Sequence, residues 1–299
     1  MRISSSQVFD RATRTMGSLT EQADRLQTQI STGVRLLAPS SDAAAYRQLT
    51  GIRRAAADEV QDKANITLAS SLLSTADTAL AGIETQLQRA SELAIQGASG
   101  TLSIEQKTVI AGQLDAILAD IVRLANTADS RGSPLFSGAG EAIPYTQASD
   151  GSVTYTGSGE ADAIPIGDGA TIQATTSGER IFGNLATAGG ASDTFAILKT
   201  VADDLRAGGS VGSGLDDIKT ALTALTDARA SIGARGARLD LEAARLAETA
   251  VTREETRSAI EDTDITAAIT ELQKTLTVLQ ATQASFSKLT SLTLFDYLR

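Results

Sequence analysis

The sequence predicts a mostly α protein: long antiparallel helices, as a bundle or coiled coil built from the N- and C-terminal regions, with a small β domain inserted between them. Three observations carry this. Apolar residues recur at steps of three and four through residues 1–133 and again through 201–299. Proline is confined, with Pro39 alone in the first zone, Pro134, Pro144 and Pro165 in the middle, and none afterwards. Aromatic residues make up 3% of the chain, so Ala, Leu, Ile and Val must fill the interior.

The first helix follows from Phe9, Ala12, Met16, Leu19, Ala23, Leu26 and Ile30, a heptad seam suited to one partner helix. Gly33 can stop it in the left-handed conformation. The loop LLAPSSD follows, where Pro39 cannot continue a helix and Ser40, Ser41 or Asp42 can cap the next. Gly33 and Pro39 make this loop a candidate hinge. The second helix should run from about 42 to 96, a rod of roughly 80 Å at 1.5 Å per residue. Its seam is Ile66, Ala69, Leu73, Ala76, Leu80, Ile83, Leu87, Ala90 and Ala94, and Leu49, Ile52 and Ala56 fall out of phase with it, as at a stutter. The third helix starts at Ser103, with Gln106 completing a capping box, and carries Ile110, Leu114, Ile117, Ile121 and Leu124.

The middle zone reads as β. Asp150-Gly151 is a hairpin signal between IPYTQ and SVTYTG, and ADAIPIG and ATIQATTSG add two short strands. Heptads then resume at Leu215, Ile218, Leu222, Leu225, Ile232, Gly236, Leu239, Ala243, Leu246 and Ala250. Arg229 interrupts them; a snorkelling stem is the first expectation, a buried pair or register device the alternative. A last helix from about Asp264 carries Ile265, Ile269, Leu272, Leu276, Leu279, Gln283 and Phe286, and Leu294 and Phe295 extend its apolar character. The expected organisation is terminal helices at 1–41 and 256–299, a long-helix bundle at 42–134 and 201–255, and the β insert at 135–200. A pair of terminal helices buries one seam and leaves a second face, so the seam residues are candidates for self-assembly into a ring or helical polymer.

Composition narrows the function. The chain has no Cys and no His, which removes disulfides, thiolate nucleophiles and any Ser-His-Asp triad. A net charge of −10 argues against duplex nucleic acid. The opening MRISSSQVFDRATR lacks the apolar core of a cleavable signal, and no run of about 18 apolar residues suggests a membrane span. Adjacent acids at Asp203-Asp204, Asp216-Asp217, Glu254-Glu255 and Glu261-Asp262 cannot converge on a substrate, because neighbours on one helix do not face each other. The glycines of 157–169 miss the phosphate-loop spacings. No catalytic group, cofactor or metal site is expected.

Five segments resemble one family. MRIS at 1–4, QISTGVRLLAPSSD at 29–42, RLANTADSRGSPLFSG at 123–138, ARASIGARGARLD at 228–240 and SLTLFDYL at 291–298 are similar, in this order, to segments of flagellin-like axial proteins, and within them to the hook-associated, hook–filament junction family. Ser41, Ala43 and Pro134 depart from that family's usual residues. The resemblance implies a structural subunit of the bacterial flagellum, exported to the cell exterior without a cleavable signal peptide. It also implies hook-associated junction protein, flagellin and an export chaperone at the C-terminal helix as partners. A flagellin, or a divergent flagellin-like surface protein that binds ligand through the β insert, is the alternative; with two tyrosines, Tyr145 and Tyr155, and no Trp, the insert offers little for stacking sugars.

Overall fold

The computed structural model describes residues 2–140 and 142–297, with side chains at 7, 9–140 and 142–288. Two compact units emerge, one from residues up to Ala57 together with those from Glu248 onward, the other Asp58–Ala247. The helices are α1 (Arg2–Thr32), α2 (Ala43–Gly97), α3 (Ile104–Ala125), α4 (Gly178–Phe182), α5 (Thr194–Arg206), α6 (Gly212–Glu261) and α7 (Ile265–Tyr297). The strands are β1 (Tyr145–Gln147), β2 (Val153–Tyr155), β3 (Ile164–Gly167), β4 (Ala170–Ile172), β5 (Leu185–Thr187) and β6 (Gly190–Ser192).

In the 58–247 unit, every residue of the second-helix seam, from Ile66 to Ala94, is buried. An 18-residue window of α2 reaches a mean hydropathy of 1.3, apolar enough to cross a membrane by length and composition, and 44% of that window is buried inside the protein. Ser103 accepts from the Gln106 N–H at 3.3 Å while the Gln106 side chain accepts from the Ser103 N–H at 3.0 Å, which closes the capping box and starts α3. Gly82 of α2 leaves room for Leu124 of α3: a Cβ there would lie 3.1 Å from a Leu124 methyl. Along α6, Ile218, Leu225, Ile232, Leu239 and Leu246, seven residues apart, are buried. The alternate column of Leu215, Leu222, Arg229, Gly236 and Ala243 is half-buried, as a heptad seam with one inner edge requires.

Arg229 therefore sits where a charge can find partners rather than where it must reach for water. Its Nε donates to Asp77 at 2.9 Å and its Nη1 to Glu84 at 2.5 Å, two acids one heptad apart on α2. The snorkelling expectation is corrected to a partly buried pairing with two acids across α6 and α2.

The segment 126–138 turns the chain from α3 into the strands. Asn126 uses its carboxamide as a strand would, donating to the Tyr145 carbonyl at 2.8 Å and accepting from the Tyr145 N–H at 2.9 Å. Asp129 accepts from the N–H groups of Arg131 and Ser133 at 2.8 and 2.9 Å, folding the turn back so that Leu135 and Phe136 enter the core. Gly138 has φ +74°, and a Cβ there would lie 2.4 Å from the Gly159 carbonyl oxygen, so only glycine fits.

The β1–β2 hairpin pairs Tyr145 with Tyr155 around the expected turn, with Gly151 at φ +80°. The expected small antiparallel β region takes the form, among the described residues, of three separate two-stranded hairpins, β1–β2, β3–β4 and β5–β6. Tyr145, Ile166, Ile172 and Leu185 join the same hydrophobic core as α2, α3 and α6. Two-stranded ribbons are marginal alone and gain stability by packing on helices. α4, α5 and the β5–β6 hairpin went unforeseen. The signal for α5 was present: Asp193 caps it by accepting from the Ala196 N–H at 2.8 Å, and Phe195, Leu198, Val201, Ala202 and Leu205 repeat at helical spacing.

In the other unit, α1 packs along α7 and ends at Gly33, whose φ is +70° and whose N–H donates to the Gln29 carbonyl at 2.9 Å. Asp42 is the cap of α2, accepting from the N–H groups of Ala44 and Ala45, both at 3.0 Å. Many helix threonines here bond backward: Thr13, Thr20, Thr28, Thr270, Thr277 and Thr282 each donate their hydroxyl to the carbonyl four residues earlier.

Candidate assembly surface

The predicted seam of α1 is the face the structure uses. Ala23 is buried, and Ala12, Met16, Leu19, Leu26 and Ile30 are half-buried. Phe9, 49% exposed, meets Phe286 ring to ring at 4.5 Å, while at the opposite end Val34 and Asp262 form an antiparallel bridge. These two points set α1 and α7 antiparallel.

On α7 the predicted row divides. At 100° per residue, Leu272, Leu279 and Phe286 lie on the flank shared with buried Ala268 and Thr275, and all three are half-buried. Ile265, Ile269 and Leu276 lie on the other flank and are 49%, 41% and 41% exposed. The apolar band of α7 is thus wider than α1 covers. The side chains of Leu294 and Phe295 lie outside the described residues.

The connectors carry a polar clamp. Arg35 N–H donates to the Glu261 carbonyl at 2.7 Å, Thr263 N–H to the Gly33 carbonyl at 2.9 Å, and Arg35 Nη2 to the Ile260 carbonyl at 2.6 Å. Gln29 Nε2 reaches the Arg35 carbonyl at 2.9 Å. Beneath this bridge Glu261, 6% exposed, is held by Arg257 at 2.7 Å and by Arg53. The hydrogen bond from Arg257, and then that from Arg53, keep its carboxyl below the usual Glu range against the opposing effect of burial. Pro39 and Leu37 are exposed in the same loop. Arg35 was legible as the basic residue of the STGVR motif but without its role, and nothing in the sequence pattern singled out Arg53 or Arg257; the partners of Arg35 and Arg53 are more than 200 residues away.

Elsewhere the adjacent acids serve local ion pairs. Asp203 takes Lys199 at 2.6 Å and Arg206 at 2.9 Å, Asp216 takes Lys219 at 3.0 Å, and Glu254 takes Arg257 at 2.7 Å. Tyr145 and Tyr155 do not form a sugar-stacking platform: Tyr145 is 4% exposed, and its ring packs on Tyr155 at 5.2 Å and Phe195 at 4.7 Å.

A chain whose first helix lies antiparallel along its last, with the remaining elements inserted between them, has the architecture of a flagellin-type axial subunit. Residues 3–141 match the bacterial flagellin N-terminal helical region and 215–298 the bacterial flagellin C-terminal helical region. The chain belongs to the flagellin family. It is 32% identical over 152 residues, half of its own length, to flagellar hook-associated protein 3 of Salmonella typhimurium, and it spans about half the length (47%) of that relative. Among solved structures it is similar to Xanthomonas campestris FlgL (19% identity, TM-score 0.63, 69% of this chain and 99% of that one). It is also similar to the flagellar junction protein FlgL of Legionella pneumophila (15% identity, TM-score 0.56, 65% and 99%). At these identities the structures establish the shared fold.

Proposed function

We propose that this protein is a structural subunit of the bacterial flagellum, an adaptor at the junction between hook-associated proteins and the flagellin filament, located outside the cell and without catalytic activity. The observation that carries this reading is the half-covered band of α7. Ile265, Ile269 and Leu276 form an apolar row left exposed beside the seam that holds α1, and covering such side chains is worth about 1.5–3 kcal/mol each. Sister copies stacked in a ring or helical polymer would cover it, and hook-associated junction protein and flagellin would meet the two open ends of that assembly. The match to hook-associated protein 3 and to the flagellin terminal regions supports the reading. Before export the same row is the natural surface for a chaperone on the C-terminal helix. In the assembled state Gly33 and Pro39 would act as the hinge between α1 and α2.

The test is Leu276→Asp in the full chain, beside Leu279→Ala as a variant of the intramolecular seam. Leu276→Asp should abolish swimming and polymer formation while the purified chain keeps its helical circular dichroism and melting temperature. Leu279→Ala should destabilise the terminal unit by about 2 kcal/mol, read as a lower melting temperature, while retaining some assembly. Wild-type swimming with Leu276→Asp would overturn the reading.

A further inference from the structure

The segment ARASIGARGARLD contains an arginine that the helical seam does not use. Arg235 lies beside the seam position Gly236 of α6 and is half-buried. Its Nη1 donates to the Gln173 carbonyl at 2.8 Å and to Thr176 Oγ1 at 3.0 Å, and its Nε to the Ser231 carbonyl at 3.3 Å. Among the described residues, Nη2 has no acceptor and no carboxylate stands within ion-pair distance of this guanidinium. An arginine withdrawn from water with only neutral partners is the exception, because a charge taken out of water is ordinarily compensated by an opposite one.

Arg235 lines a cavity of about 440 Å³ into which α4 contributes a second guanidinium, Arg180. Arg180 Nη1 is 3.1 Å from Glu160, in a pair that is largely exposed. Burial, followed by repulsion from Arg180, holds Arg235 below the usual guanidinium range, with Glu160 opposing. Gln173, Thr176 and Ser231 add polar groups to the lining, and Ile181, Ala224 and Ala228 add apolar surface. Exposed Asp227 is the one acid of the lining and favours a ligand of low charge over a polyanion. Nη2 of Arg235 and the guanidinium of Arg180 offer N–H groups to a carboxylate, and the alanines and isoleucine match a short aliphatic stem.

We infer that the cavity between α4 and α6 is a carboxylate-binding site, with Arg235 and Arg180 holding the two oxygens and Ile181, Ala224 and Ala228 receiving the attached methylenes. The site lies wholly within the 58–247 unit and stands independently of the role proposed for the terminal helices.

The test is a succinate titration of the full chain, read by the Nε–H resonances of the arginine side chains, with succinamide as the uncharged isostere. Succinate should move the Arg235 resonance saturably, with a Kd on the order of 1–10 mM; succinamide should not. Arg180→Gln, at an exposed position, should weaken binding about tenfold, and Arg235→Lys, which keeps the charge but loses the Nη2 donor, should weaken it while leaving the fold intact. No saturable shift, an equal response to succinamide, or an unchanged Kd in both variants would overturn the assignment. Repetition on the assembled polymer distinguishes the source of the carboxylate. A site closed to succinate there is filled by a neighbour's Asp or Glu, and one still open serves a free ligand; both results retain the site.

Discussion

The two compact units are held together by different means. In the 58–247 unit, α3 alone buries eight of its 22 residues, and Phe136, Phe182 and Phe195 are all under 2.5% exposed. In the terminal unit, α1 and α7 run for 31 and 33 residues, yet their buried described side chains are Ala23, Ala268 and Thr275. Its fixed points are two buried leucines, Leu36 and Leu49, one ring pair, one backbone bridge and one buried carboxylate between two arginines. A unit made by burial holds its shape in a single chain, even with Val60, Ile95 and Leu241 on its surface. A unit made by one shallow seam and a polar clamp is defined in a single chain but leaves apolar surface unfinished.

The sharpest way to break this contrast is at the centre of the larger core. Phe136→Ala should cost about 3–5 kcal/mol, because it opens a cavity where Phe136 meets Phe182 edge to face at 5.8 Å. Thermal melting and hydrogen exchange should report the loss in α3 and the strands. A cost below 1 kcal/mol would mean that the larger unit is no better packed than the smaller.

A middle-sized effect concerns the clamp. Because the Glu261 pKa is lowered in the folded chain, its contribution is fully present above the unfolded Glu value of about 4.3 and is lost as the pH falls through the folded value. Glu261→Gln should cost about 1.5–3 kcal/mol near neutral pH. It should also flatten the acid limb of the terminal unit's stability, measured as melting temperature from pH 3 to 7. An acid limb as steep as that of the parent chain would remove Glu261 from its place.

The smallest effect separates clamp from hinge. Amide exchange should be slow at Arg35 and Thr263, whose N–H groups are bonded across the connectors, and fast at residues 37–40. Uniform protection through residue 40 would remove the proposed hinge at Gly33 and Pro39.

Much of this was legible in the sequence where one rule dominated. The nine-residue seam of α2, the Ser103 box and the Asp150-Gly151 turn each follow from local chemistry, and the structure keeps all three. The β segments were legible as strands but not as separate ribbons, since which strands pair depends on the helices they lie against. The α7 row was legible as apolar, but not its division into a flank against α1 (Leu272, Leu279, Phe286) and an exposed one. Hydropathy favours Ile265, Ile269 and Leu276 over Ala268 and Thr275, but α1 covers the smaller residues, where helices can approach closely. Arg229 was misjudged because its partners, Asp77 and Glu84, lie 152 and 145 residues away. The Glu261 clamp escaped for the same reason.

The back-bonded threonines of α1 and α7 bear on what can cover these helices. A hydroxyl already donating to its own helix carbonyl asks little of its surroundings. A second molecule can press against such a helix without stranding a donor. Wet and dry versions of the same wall then differ little in polar demand, and the choice between them falls to the greasy side chains alone.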